Sequence, residues 1–155
     1  TVENFKTLGI DASQVSTVAG ESTGAAAILV DAASGQNRIL VALGANNKMT
    51  PGMIEPALSA MPKPDSVIMQ CEMPLDVVYR TVEFARLNHI RSILNVAPAQ
   101  PVDLKKLDGL DYLVVNEAEA ETVSGMLVKS PYDAEICAQH LLDTTGIKKL
   151  IVTLG

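Results

Sequence analysis

Along this sequence, short apolar runs repeatedly end on a carboxylate, an amide or a hydroxyl. Gln70 and Glu72 follow Ser66-Val67-Ile68-Met69, Asn95 closes Ser92-Ile93-Leu94, and Asn116 with Glu119 follows Asp111-Tyr112-Leu113-Val114-Val115. Thr153 and Gly155 end the run that begins at Lys149. If these runs are strands of one parallel sheet, their polar ends share the crevice in which open α/β sheets bind ligands. The pattern predicts a polar crevice, without naming a reaction.

Two of these groups admit two readings. Asn116 with Glu119 three residues on is a capping box, in which each side chain bonds the other's backbone. A carboxylate at a helix start can also hold a hydrated Mg²⁺ near nucleotide phosphates, since Mg²⁺ keeps several waters and uses one or two protein carboxylates. The readings are compatible, with Asn116 capping while Glu119 faces the crevice. Glu72, just before Met73-Pro74, can accept hydrogen bonds from sugar hydroxyls or favour the start of the next helix. His89 and His140 fall near helix C-terminal portions, where a cation suits the macrodipole, and read as surface residues. Asp143-Thr144-Thr145-Gly146 resembles the start of a kinase Asp-Thr-Thr-Gly-Ala-Gly-Asp string but continues Ile147-Lys148-Lys149. Gly146 reads there as a helix C-cap.

The elements that position these groups follow from periodicity. Val2, Phe5 and Leu8 share one face of a short helix closed by Gly9. Residues Gly24 to Asp31 and Asn37 to Leu43 predict an antiparallel hairpin around the turn Ala33-Ser34-Gly35-Gln36. Thr50-Pro51 predicts a helix start, with a capping hydroxyl and Pro at the first position, running to Met61. Strands are expected at Asp65 to Cys71, Ser92 to Val96, Asp111 to Val115 and Lys149 to Thr153. Helices are expected from Pro74 to His89, after Asn116, and from Tyr132 to Thr145. That rhythm is a parallel sheet with crossover helices, the hairpin lying as a flap beside it.

Composition supports a globular α/β chain. Hydrophobic residues make up 48% and charged residues 19% of the 155 residues, outside the disordered range. Aromatic residues are 3%, so the core is aliphatic. The net charge of −6 with scattered Lys and Arg argues against a nucleic-acid surface. Cys71 and Cys137 lack metal-type spacing and read as buried thiols. No apolar run approaches the ~20 residues of a membrane span, and a cytoplasmic location is expected. The opening residues, Thr1 to Phe5, look like the middle of a helix, and the closing ones deliver a strand end; both ends are read as cuts.

Taken in order, several strings resemble the ribokinase branch of the ribokinase-like (PfkB) sugar kinases. They are Ser22-Thr23-Gly24, Gly44-Ala45-Asn46, Met69-Gln70-Cys71-Glu72-Met73-Pro74, Asn95-Val96-Ala97-Pro98-Ala99, Asn116-Glu117-Ala118-Glu119-Ala120-Glu121 and Val152-Thr153-Leu154-Gly155. Each alone is weak, but together and in the family's order they are specific, and they cover nearly the whole chain. Val96 stands where the family has Pro, and Cys71 where Leu is common. The family's N-terminal Gly-Gly motif and its Gly-Ala-Gly-Asp string are absent.

The resemblance implies a three-layer α/β/α fold with a parallel sheet and a small β lid. Residues 1–23 and 44–155 would form part of the kinase domain and 24–43 the lid. It implies phosphorylation of a sugar hydroxyl by ATP with Mg²⁺, D-ribose to ribose 5-phosphate being favoured, and a monovalent cation such as K⁺ in the full-length protein. Fructose, another sugar or a nucleoside is the alternative substrate. Ala26, Ile28, Val41 and Glu72 would bind the sugar, Asn116, Thr153 and Gly155 the nucleotide, and Glu119 the metal. The general-base Asp would lie downstream, so this chain alone would be inactive. The expected partners are the sugar, ATP and a second copy through the lid, with no nucleic acid and no membrane. A non-catalytic sugar- or nucleotide-binding module and a purely structural pairing segment are the readings from other classes.

Overall fold

A computed structural model describes residues 2–154 and divides the chain into two compact units, residues 1–48 and 49–155. In the first unit, helix α1 (Val2–Thr7) ends as its apolar spacing predicts. Gly9 takes a left-handed φ of 71°. The Gly9 N–H bonds the Lys6 carbonyl at 3.0 Å and the Ile10 N–H bonds that of Phe5 at 2.9 Å. Those two bonds are a Schellman stop, which satisfies carbonyls the helix leaves unpaired.

The hairpin follows, with β1 (Ala25–Val30) antiparallel to β2 (Asn37–Ala42). The register sets Ala26 opposite Val41 and Ile28 opposite Ile39. Because side chains alternate, these share one face, while Ala27, Leu29 and Leu40 occupy the other. Every residue of both strands is exposed, Ile28 at 63% and Leu40 at 63%. Asp31 organises the turn. Its carboxylate accepts the Ala33 and Ser34 N–H groups at 3.0 and 2.7 Å and the Ser34 hydroxyl at 2.8 Å. Gly35, at φ 72°, completes it.

The second unit is built on a parallel four-stranded sheet in the order β3-β4-β5-β6, formed by Ser66–Gln70, Arg91–Asn95, Tyr112–Asn116 and Leu150–Thr153. Helix α3 (Leu75–Leu87) connects β3 to β4, and a 3-10 helix (Leu104–Leu107) connects β4 to β5. Helices α4 (Glu117–Ser124) and α5 (Pro131–Thr144) connect β5 to β6. Met69, Leu94, Leu113 and Val115 lie on one face of the sheet and pack with Val78 and Val82 of α3, Ala120 and Val123 of α4, and Cys137 and Leu141 of α5. This aliphatic core is the one the composition predicts. The opposite face leaves Ile68 at 65% and Ile151 at 46% exposed, so the described elements of this unit supply the sheet and one helical layer. Among the described residues no helix is long and apolar enough to cross a membrane.

Three details depart from the periodicity. The helix expected from Pro51 to Met61 is a 3-10 turn (Pro51–Met53) followed by α2 (Ile54–Ser59), and the Thr50 hydroxyl makes no cap bond. Pro56 explains the break: it cannot donate back to Gly52, so the α-helix begins where Pro56 falls in the first turn, which needs no N–H. Gly146 is not the left-handed stop of α5. The cap is Thr145 in extended backbone, its N–H bonding the Leu141 carbonyl. A Cβ at 146 would meet the Asp108 carboxylate, which would have to turn aside. At the end of α3 it is His89, a non-glycine, that adopts the left-handed φ of 53°.

Candidate active site at the strand ends

The sheet register brings the polar strand ends together. Gln70 lies beside Asn95, and two residues further along β5, Asn116 lies beside Thr153. Neighbouring strands are about 4.8 Å apart, so these groups span roughly 15 Å along one edge of the sheet. Glu72, Asn116 and Thr153 are exposed and Asn95 is half-buried. Among the described residues, the side chains of Gln70, Glu72 and Asn95 carry no hydrogen bond or ion pair. Four strands thus present polar groups at one end, those of β3 and β4 without partners, which a polyhydroxylated or phosphorylated ligand could satisfy. Gly155 lies outside the described residues.

Asn116 and Glu119 form the capping box. The Asn116 side-chain oxygen accepts the Glu119 N–H at 2.8 Å, and a Glu119 carboxylate oxygen accepts the Asn116 N–H at 2.8 Å. Glu119 is only 7% exposed, so the carboxylate is locked at the first turn of α4, on the crevice side of β5. The Asn116 side-chain NH₂ remains without a partner at the N-terminus of α4. The Thr153 hydroxyl makes a long contact, 3.5 Å, to the Val115 carbonyl.

Cys71 lies between these groups. It is 2% exposed and free. Burial pushes its thiol up to about 11, with the Glu119 charge adding to the rise and a Gln100 hydrogen bond opposing it. At neutral pH it is an un-ionised thiol, as is fitting for a core residue rather than a nucleophile. Its backbone is clasped from the loop after β4. The Cys71 N–H bonds the Ala97 carbonyl at 3.0 Å, and the Gln100 side-chain NH₂ bonds the Cys71 carbonyl at 2.9 Å. No sequence signal marks Gln100, because the two residues are 29 apart and share no periodicity.

The donor set fits Mg²⁺ in one way only. Among the described residues no group of three or more His, Cys, Asp or Glu could hold a metal ion. Glu119 already gives an oxygen to its cap, which suits contact with a hydrated ion through water rather than a cage of protein ligands. Ala26, Ile28 and Val41 share one face of the hairpin in the other unit. A groove of about 450 Å³ lies away from the strand ends, lined by Asp76, Tyr79 and Arg86 of α3 and by Lys105, Lys106 and Asp108.

Comparison with known proteins gives this geometry its context. The chain is 37% identical over 154 residues to the ribokinase of Staphylococcus aureus (strain COL), covering 99% of this chain and 50% of that protein. It is 35% identical over 156 residues to the deoxyribokinase of Salmonella typhi, covering 100% of this chain and 50% of that protein. The solved structure of Arabidopsis thaliana ribokinase complexed with ribose and ATP superposes with a TM-score of 0.81 at 25% identity, over 95% of this chain and 47% of that one. The chain therefore spans about half the length of the curated relatives it matches. Its fold is the ribokinase-like α/β fold that the resemblance of the motif strings implies. With residues 2–155 also matching the model for the pfkB family carbohydrate kinases, the chain belongs to that family.

Proposed function

We propose that the full-length protein transfers the γ-phosphoryl group of ATP to a hydroxyl of D-ribose, and that this chain supplies part of the sugar- and phosphate-binding surface. The observation that carries the reading is Glu72, an exposed carboxylate without a partner at the end of β3. A carboxylate accepts hydrogen bonds from two or more hydroxyls, which is the recognition a sugar needs. Ala26, Ile28 and Val41, which share one face of the hairpin, are assigned to the apolar side of the sugar.

Asn116 donates its free NH₂ to the transferred phosphoryl group, and Thr153 and Gly155 meet the nucleotide's phosphates. Glu119 orients the waters of Mg²⁺. Bound Mg²⁺–ATP supplies the phosphoryl group and neutralises its charge, and such transfer depends chiefly on positioning. The sequence contains no Gly-Ala-Gly-Asp string, so the base that takes the hydroxyl proton is assigned to the remainder of the protein, with any K⁺ site. The other hairpin face, Ala27, Leu29 and Leu40, is assigned to pairing with a second copy. Two free thiols suit a cytoplasmic setting.

The 35% identity to a deoxyribokinase favours 2-deoxyribose as the competing substrate. The test is sugar-dependent ADP formation by the full-length protein with Mg²⁺–ATP, D-ribose, 2-deoxy-D-ribose and D-fructose in parallel. The largest kcat/KM with ribose supports the proposal. A larger value with deoxyribose or fructose reassigns the substrate, and sugar binding without turnover makes the protein a binding module.

A further inference from the structure

We infer that Gln100 is a positioning residue for Glu72. The inference rests on the sugar-binding role proposed for Glu72. The β3–β4 ladder ends at the pair Gln70 and Asn95. Beyond it, Cys71 is held by both of its backbone groups to the loop that follows β4, through the Ala97 carbonyl at 3.0 Å and the Gln100 side-chain NH₂ at 2.9 Å. Its side chain is anchored in the core. Helix α3 begins at Leu75, with no side-chain cap at Pro74. Glu72 and Met73 span the gap between these two fixed points.

Among the described residues no side chain bonds the Glu72 carboxylate. Its aim is therefore set by the backbone before it, and the one side chain that holds that backbone is Gln100. A half-buried amide bonding a buried residue's carbonyl leaves that carbonyl short of a partner when it is removed. The loop has other anchors: the Asp103 N–H bonds the Tyr79 hydroxyl at 2.8 Å, and Asp103 caps the 3-10 helix through the Lys105 N–H. Losing Gln100 should thus loosen the Cys71–Met73 backbone without unfolding the loop.

The experiment is steady-state kinetics on the full-length protein with Gln100→Met, which keeps length but has no donor, and Gln100→Arg, which keeps a donor. Gln100→Met is expected to raise KM for the sugar about tenfold, the effect of one lost hydrogen bond, with KM for ATP and kcat within about twofold. Gln100→Arg is expected to stay within about threefold of wild type in all three constants. Hydrogen exchange at the Glu72 and Met73 amides should quicken in Gln100→Met and not in Gln100→Arg. A wild-type sugar KM in Gln100→Met overturns the inference. So does a parallel loss of kcat, ATP KM and melting temperature, which marks a merely structural residue. Glu72→Ala separates the two layers: if it leaves the sugar KM unchanged, the sugar-binding reading itself fails. If it raises KM while Gln100→Met does not, only the positioning role fails.

Discussion

The carbonyl oxygen of Ser22 fills the space that a Cβ at Gly44 would need, and the same oxygen accepts the Ala45 N–H at 2.8 Å. Gly44 also has a left-handed φ of 53°, and its absent Cβ would lie 3.0 Å from the Thr23 carbonyl carbon. Opposite it, a Cβ at Gly24 would lie 3.0 Å from the Leu43 carbonyl oxygen. The two legs of the hairpin therefore cross backbone against backbone, and only glycine permits it.

Gly44→Ala is expected to destabilise the first unit by about 2 kcal/mol or more, combining left-handed strain with a clash against main chain that cannot rotate away. Gly9→Ala, left-handed but with nothing within 4 Å of the new Cβ, should cost only about 1 kcal/mol. Limited proteolysis within residues 25–42 reads the difference. Equal nicking in both variants would contradict the crossing.

Asn116 and Glu119 allow capping and catalysis to be separated. Glu119→Gln retains an acceptor for the Asn116 N–H, so stability should stay within about 0.5 kcal/mol while kcat of the full-length protein falls and its Mg²⁺ requirement shifts. Asn116→Ala removes the cap and should cost about 1 kcal/mol in urea melts. Full activity in Glu119→Gln would leave Glu119 as a cap alone.

His89 closes α3 in a conformation that favours glycine. The Ile90 N–H bonds the Ala85 carbonyl at 2.8 Å, the His89 N–H that of Arg86 at 3.4 Å, and the Asn88 side-chain NH₂ that of Phe84 at 2.9 Å, so the stop does not use the imidazole. His89 is exposed. His89→Gly should raise stability by about 0.5–1 kcal/mol, seen as a higher melting temperature. A lower one would show that the imidazole contributes more than the backbone strain costs.

Asp111 predicts an acid limb. Burial raises its pKa, but the Lys148 ammonium at 2.9 Å, the Ser92 N–H at 2.9 Å and the Ser92 hydroxyl outweigh that and hold it below 3.8. A carboxyl lowered on folding contributes stability that is complete above its unfolded value and lost as pH falls through the folded one. Asp111→Asn should therefore lower the melting temperature at pH 7 and narrow its gap from wild type below about pH 3.8. A gap that stays constant down to pH 2 would remove the Lys148–Asp111–Ser92 cluster from the acid response.

Much of the fold was legible because its causes are local. Apolar runs with polar ends marked every strand of the sheet, and the spacing of Val77, Val78, Thr81, Val82 and Ala85 marked α3, all of them buried. The capping box of α4 could be read from Asn116 and Glu119 alone, since its partners are three residues apart. Pro56, by contrast, was passed over although its effect is also local, and it shortened α2.

The sequence by itself determined the order of strands and helices, the aliphatic core and the motif strings, because hydrophobic period, capping and turn chemistry act over a few residues. It also determined which polar residues end each strand. Tertiary structure alone decided which of these meet: that Asn116 stands beside Thr153, that the Asp108 carboxylate sits against Gly146, and that Gln100 clasps Cys71. Those contacts join residues 29 to 38 positions apart, and no periodicity in the chain encodes a distance that only packing creates.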